Sequence, residues 1–195
     1  MKIYLIRHGE TTGDIEDRYG GDYDDHLTEN GKNQAKELAQ QLESRGIEIL
    51  FTSPRIRAQE TVEEIRKVLN VPVEVVESLR ERNNYGVLSG LKKGEARNLF
   101  PEDFEKISKD KTYHDVRGSE SYEEIKQRAI KVFSEILNKD YDIIGIVSHG
   151  GIISTYVREV LANGRNIKLG DCAVLEITKE GEKLDLNCLI KAELQ

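Results

Sequence analysis

The chain has no tryptophan, one methionine, two cysteines and three prolines, and aromatic residues fill only 6% of its 195 positions. Two cysteines cannot staple a secreted disulfide scaffold. Cys172 and Cys188 lie in separate apolar stretches, with no C-x-x-C and no metal spacing, and read as buried free thiols of a protein in a reducing cytoplasm. Long apolar runs are also missing. Arg7 interrupts the N-terminal run too early for a signal peptide, and no stretch approaches the ~20 residues a membrane span needs. Positive charge is the minority sign, 29 Lys and Arg against 36 Asp and Glu, for a net charge of -7. That balance argues against nucleic-acid and anionic-membrane partners, while a locally positive pocket can still take a small anion. Neither internal repeat, low-complexity tract nor linker divides the chain, so residues 1–195 are expected to form one domain.

What is abundant is charge, 33% of residues against 37% hydrophobic. Apolar periodicity runs through most of the chain, so the charge belongs to a solvated surface and not to disorder. High charge with little Met and Cys also hints at heat tolerance. Residues 2–6 read as a buried strand, followed by a polar loop over 11–26. Ala35, Leu38, Ala39 and Leu42 recur at helical spacing, and 47–51 is a second strand. Ser53-Pro54 reads as a helix start with Ser as cap, opening an apolar face of Ala58, Val62, Ile65 and Leu69. Residues 71–76 form a third strand; 79–117 are irregular, with Gly86 and Gly90 as loop punctuation. Ser121-x-x-Glu124 is a capping box before an apolar face of Ile125, Ala129, Val132, Phe133 and Ile136. Residues 143–147 form a strong strand, then a helix runs to about 163, and strands at 173–177 and 184–190 meet near Gly181. Alternating strands and helices predict an α/β fold around a largely parallel sheet, with ligands beyond the strands' carboxyl ends.

Polar groups follow the apolar strands: Arg7-His8, residues 53–57, residues 79–81, and His149. Two arginines and two histidines supply many donors, and a guanidinium grips phosphate in a bidentate way. A neutral imidazole of fixed tautomer can attack phosphorus, and donors around the equatorial oxygens stabilise the transition state. Glu81 is the nearby carboxylic acid able to protonate a leaving oxygen. That parts list needs no metal. Arg55 competes with Arg57, and Glu77 and Glu95 compete with Glu81. His26 and His114 read as exposed loop residues, and Lys92-Lys93 as a solvated pair. Asp22, Asp24 and Asp25 lack calcium-site spacing and read as a solvated acidic loop.

Leu5-Ile6-Arg7-His8-Gly9-Glu10-Thr11 resembles the signature of the histidine phosphatase (phosphoglycerate mutase-like) superfamily. The resemblance continues through Leu27-Thr28 with Gly31 and Gln34-Ala35, through residues 53–58 with Thr61, and through Leu79-Arg80-Glu81 with Gly86 and Gly90. It ends with Gly118-Ser119-Glu120-Ser121 and Val147-Ser148-His149-Gly150-Gly151. It implies a three-layer α/β/α sandwich in which 79–117 supply a cap. It further implies that His8 becomes a phosphohistidine, with Arg7, Arg57 and His149 around the phosphoryl group and Glu81 as acid, then base. Gly21 would offer a backbone N–H, and Gly150 would let backbone approach the anion. Lys93 stands where mutases use a lysine for substrate. The substrate would be a small phosphorylated metabolite, with no metal or cofactor, and an edge strand offers a route to a homodimer.

Departures from the pattern are Asp14 where Asn is usual, His26 where Pro is usual before Leu27-Thr28, and Gly20 where Gln is common. The 81–86 stretch is one residue longer between Glu and Tyr than in mutases, and their paired arginines are not evident. Hydrolysis of small phosphomonoesters is therefore expected ahead of a bisphosphate-primed phosphoglycerate mutase, and the retained His8, Arg57, Glu81 and His149 place it ahead of a non-catalytic phosphate-binding module, which only Asp14 supports.

Overall fold

The computed structural model describes residues 1–109 and 116–195, with the backbone alone for Lys109, Cys188 and Leu189. His114 and the Cys188 side chain lie outside the described residues. A six-stranded sheet runs in the order β3-β2-β4-β1-β5-β6, with β1 Lys2–Arg7, β2 Ile49–Thr52, β3 Val73–Val75, β4 Ile143–Ser148, β5 Ile167–Glu180 and β6 Lys183–Leu194. The β3, β2, β4 and β1 strands are parallel, and β5 and β6 close the sheet antiparallel.

Side chains alternate along a strand, so β1 divides its apolar residues between two cores. Ile3 and Leu5 pack with Phe51 and Ile146 against Ile125, Val132 and Phe133 of α6 (Tyr122–Leu137) and Ile152 of α7 (Gly150–Tyr156). Tyr4 and Ile6 pack with Leu50 and Val147 against Leu38 and Leu42 of α2 (Glu29–Leu42) and Val62 and Ile65 of α3 (Ile56–Leu69). The result is a helix–sheet–helix sandwich, which is why the central strands read as unbroken apolar runs.

Local chemistry explains most boundaries. The Thr28 hydroxyl accepts the Gly31 N–H to start α2, and Ser121 with Glu124 forms the expected capping box on α6. Ser53 does not cap α3: the helix starts at Ile56 with Arg55 at the cap position, because the Ser53 hydroxyl is taken by Arg55 N–H and by His149. The stretch 11–26, read as loop, contains one helical turn, α1 (Thr12–Ile15), held by reciprocal bonds between Thr11 and Asp14. A four-residue turn is too short to show a period. The helix after β4 runs through α7 and one π-helical turn, Val157–Leu161, and β5 and β6 extend well beyond the expected strands. Within the irregular stretch, α4 (Lys93–Leu99) and α5 (Pro101–Lys109) bury a small cluster of their own around Leu88, Ala96 and Val116, which also takes in Tyr19.

The glycines at 9 and 31 seat the β1 exit on the start of α2. A Cβ on Gly9 would lie 2.7 Å from the Gly31 carbonyl oxygen, and a Cβ on Gly31 would run into the Glu10 carbonyl. Helix propensity alone favours Gly31→Ala by ~1 kcal/mol, but overpacking against a backbone oxygen that cannot rotate aside costs ~1–3 kcal/mol. Gly31→Ala is therefore expected to lower the urea midpoint at unchanged m-value. A raised midpoint would show that the two segments separate freely.

Candidate active site

Arg7 pairs with Ser148 across the parallel β1–β4 ladder, so the residues that follow, His8 and His149, emerge side by side. Their ring centroids are 5.1 Å apart and both side chains are buried. This lies at the carboxyl ends of neighbouring strands where the sheet order switches, the expected place for a ligand in an open α/β sheet.

Backbone bonds fix His8. Its N–H donates to Ser148 O at 3.1 Å, its carbonyl accepts Cys172 N–H at 3.1 Å, and Gly9 N–H donates to Thr61 Oγ1 at 3.1 Å. The ring Nδ1 lies 2.8 Å from Gly9 O. A carbonyl only accepts, so Nδ1 carries the proton and Nε2 presents a lone pair, which Arg57 Nε–H meets at 3.3 Å. Burial, then Arg57 and then Arg7, hold His8 well below the ordinary imidazole value. His149 is also pushed well down, chiefly by burial, then by Arg57 and His8. Two neutral imidazoles in a positive surround are the outcome.

For His149 the tautomer is opposite. Nε2 is 2.7 Å from Ser53 Oγ, whose lone pair accepts Arg55 N–H at 3.2 Å. Among the described residues Nε2 is the acceptor within reach of the Ser53 hydroxyl, which assigns that proton to Nε2 and leaves Nδ1–H as a donor. That Nδ1 is buried with no hydrogen-bond partner among the described residues, and so is Arg7 Nε. Arg7 Nη1 meanwhile donates to Leu169 O at 2.8 Å and sits 3.4 Å from Asp171. A Cβ on Gly150 would lie 3.7 Å from Arg7 Nε, so this glycine borders the same spot. Buried donors are rarely left unmatched. Two of them beside the neutral His8 ring are a donor set that an anion would match.

Of the two rival arginines, Arg57 is the one against His8. Its Nη1 donates to Tyr23 O at 2.6 Å and to Asp25 Oδ1 at 2.8 Å, and its Nη2 donates to Gly21 O at 3.0 Å. Arg55 pairs with Asp22 at 2.6 Å and Asp24 at 3.5 Å. The loop read as solvated acid is thus an arginine receptor, with the Asp25 side chain only 7% exposed. Tyr23 Oη donates to Asp25 Oδ2 at 3.2 Å, in space that Gly13 leaves open. Gly21 engages Arg57 through its carbonyl, whereas its N–H was the expected contributor. Asp14 uses its carboxylate on Thr11 N–H and Oγ1, at 2.9 and 2.8 Å, so its place in the pattern is a capping one.

Glu81 meets the start of α7 beside His149, accepting N–H bonds from Gly151 at 3.0 Å, Ile152 at 3.2 Å and Arg82 at 2.7 Å. Lys93 is not brought into this group; its half-exposed ammonium pairs with Asp17. His26 is exposed and bound to Glu60 at 2.7 Å. Sequence reasoning read Asp25 as solvated, gave Thr61 a place in the motif but no role, and missed Asp171 and the bond from Ser53 to His149. For Asp25 the nearby Asp22 and Asp24 were the available signal, and it pointed the other way.

The family model for the histidine phosphatase superfamily (branch 1) matches residues 3–190. Phosphoserine phosphatase 1 of Hydrogenobacter thermophilus is 30% identical over 76% of this chain and 71% of its own. A 2,3-bisphosphoglycerate-dependent phosphoglycerate mutase of Nitrobacter winogradskyi is 36% identical over 69% of this chain and 68% of its own. Among solved structures, the alpha-ribazole phosphatase from Shigella flexneri superposes with a TM-score of 0.84 at 22% identity, covering 97% of this chain and 96% of that one.

A direct check on the electrostatics is the protonation of the rings. Glu60 raises His26 above the ordinary histidine value, while His8 and His149 lie well below it. In an NMR pH titration, His26 should protonate first as pH falls, with His8 and His149 still neutral. Their folded pKa values are depressed, so the unfolded chain binds more protons below the unfolded value of ~6.5. Through these two groups stability is complete above that pH and declines as pH falls beneath it. A His8 ring that titrates together with His26 would contradict the burial argument.

Proposed function

We propose a two-step mechanism for a chain that belongs to branch 1 of the histidine phosphatase superfamily and, as a phosphatase, hydrolyses small phosphomonoesters. The observation that carries it is the His8 Nε2 lone pair, set by the Gly9 carbonyl and met by Arg57 Nε–H, with the neighbouring Arg7 Nε and His149 Nδ1 buried and without a partner among the described residues. The substrate phosphoryl group lies between Arg7 Nε, His149 Nδ1 and Arg57 Nε. As it enters, Arg57 Nε–H passes from the His8 lone pair to a phosphoryl oxygen, which frees Nε2 to attack phosphorus. The N–P bond forms, the ester P–O bond breaks, and the leaving oxygen takes the proton of Glu81. The imidazole keeps Nδ1–H on Gly9 O throughout, which steadies the positive charge that phosphorylation places on the ring. Water then attacks the phosphohistidine, gives its proton to Glu81, and returns His8 with its lone pair. Preorganised donors around the equatorial oxygens supply the transition-state stabilisation, without a metal ion.

Hydrolysis is favoured over mutase chemistry because Lys93, paired with Asp17, is not among the side chains gathered around His8 and His149. Phosphoserine, the substrate in the name of one relative, heads the panel of small esters to test. A cytoplasmic setting fits Cys172, a buried free thiol that burial pushes up to about 12 and so keeps protonated. Among the described residues no helix is long and apolar enough to cross a membrane. A second copy, if it adds through the sheet, would join at β3 or β6.

In buffer with a metal chelator and no bisphosphate, the enzyme should release phosphate from p-nitrophenyl phosphate, and His8→Ala should lose at least ~10³-fold in turnover. Acid-labile, alkali-stable label should appear on the wild type only. Phosphate release by folded His8→Ala at the wild-type rate would remove His8 as nucleophile, and activity that requires a bisphosphate primer would turn the assignment to a mutase.

A further inference from the structure

We infer that Arg128 is a positioning residue for leaving-group protonation: with Glu120 it clasps the backbone that carries Glu81. The inference rests on the assignment of Glu81 as the acid. Glu81 lies between two short 3₁₀ turns, Glu77–Leu79 and Gly86–Leu88, outside any strand or α-helix that would fix it. The carbonyls of the four residues from 78 to 81 are nevertheless all held by side chains. Arg128 Nη1 donates to Ser78 O at 2.9 Å and Arg80 O at 2.8 Å, and Nη2 reaches Glu81 O at 3.4 Å. Ser148 Oγ holds the remaining one, Leu79 O, at 2.7 Å.

Glu120 completes the clasp. Its carboxylate receives Arg128 Nε and Nη2 in a bidentate pair, at 2.8 and 2.7 Å, and also accepts Asn83 N–H at 3.3 Å. The two side chains are 11% and 12% exposed, so this pair is largely desolvated and geometrically defined. A guanidinium presents its donors in a fixed planar fork, so the carbonyl positions are set relative to one another; an ammonium could not do this. On the outer side lies an open cavity of about 610 Å³, lined in part by Ser78, Arg80, Glu120 and Arg128. Leu79 anchors the loop in the core at one point, but the backbone on either side of it faces this cavity and relies on the fork. Arg128 is in phase with Ile125 and Val132 on the inward side of α6, and an arginine among those positions is the sequence signal for it.

The consequence is selective, because a proton donor matters in proportion to how poor the leaving group is. p-Nitrophenolate departs as a stabilised anion, whereas the alkoxide of glycerol 3-phosphate needs a proton. The experiment compares kcat/KM, which reports the steps up to leaving-group departure, on these two esters for the wild type, Glu81→Gln, Arg128→Lys and the double variant. Glu81→Gln should lose ~10²-fold or more on the alkyl ester and much less on the aryl one. Arg128→Lys should lose on the alkyl ester at least ~10-fold beyond its loss on the aryl ester. The double variant should match Glu81→Gln alone, since both changes act through one proton.

Equal losses on both esters in an Arg128→Lys protein with wild-type thermal unfolding would overturn the inference, as would a double variant whose losses multiply. Equal losses for Glu81→Gln would instead remove the acid assignment beneath it. If Arg128→Lys does not fold, Glu120→Gln, which loosens the anchor and leaves the fork, must show the same selectivity at smaller amplitude. A uniform loss there overturns the inference as well.

Discussion

The Arg57 guanidinium, wedged between the His8 ring and the 21–25 loop, is the contact on which the rest of the site depends. On one side it meets the His8 lone pair; on the other it is bound by the carbonyls of Gly21 and Tyr23 and by buried Asp25. Side chains exposed by only 5% and 7% have given up most of their hydration. A buried ion pair of this kind is weak evidence for stability, since desolvation offsets much of the attraction. Losing one partner would still cost ~3–5 kcal/mol because the other is left charged in a dry place. What the pair contributes is position: the loop has a defined conformation because the guanidinium dictates where its carbonyls go, and the guanidinium edge is aimed because the loop accepts its far side.

That mutual dependence explains which parts of the site could be read from the chain. His8 and His149 were legible because each follows a strand with an unbroken apolar pattern, and parallel neighbours deliver their exit residues to one edge. The choice between Arg55 and Arg57 was not, since both lie at the start of α3 and only the fold shows which one faces His8. The acidic loop was misread for a related reason. Clustered carboxylates look solvated when their cations, Arg55, Arg57 and Arg80, come from segments some 30 to 60 positions further along. Ser53 was assigned to a helix cap on local grounds, and a long-range histidine claimed its hydroxyl instead. Local rules failed where a tertiary partner outbid the local one, and those places cluster around the phosphate cradle.

The two histidines show how one residue type serves two tasks through backbone and hydroxyl partners. A carbonyl on Nδ1 leaves His8 a lone pair at Nε2, the atom of the proposed attack; a hydroxyl that donates to Nε2 leaves His149 an N–H at Nδ1. Neither choice depends on a charge, so both survive in a surround where burial first, and then Arg57, hold the rings neutral. The same surround supplies the attraction for a phosphate dianion, on a protein whose net charge is -7. The attraction comes from N–H donors at the site, Arg7 Nε, Arg57 Nε and His149 Nδ1, and not from a surplus of cations, since loop carboxylates and Asp171 pair with the arginines.

Arg57 also sets how the cradle meets its anion. A guanidinium has five N–H donors, and the loop already occupies most of those on its two terminal nitrogens. The phosphoryl group therefore gains the Nε–H, and loses His8 as its competitor, without any need to pull Arg57 from the loop. A freely rotating arginine would have to be ordered at the moment of binding, at a cost of ~2 kcal/mol in rotamer entropy. Here that ordering was done on folding, and on the proposed mechanism the donor stands where charge builds on the phosphoryl oxygens. Transition-state stabilisation by fixed dipoles works only if the dipoles need not reorganise during the reaction. The acidic loop, which at first sight should repel a phosphate, serves the reaction by holding the arginine still.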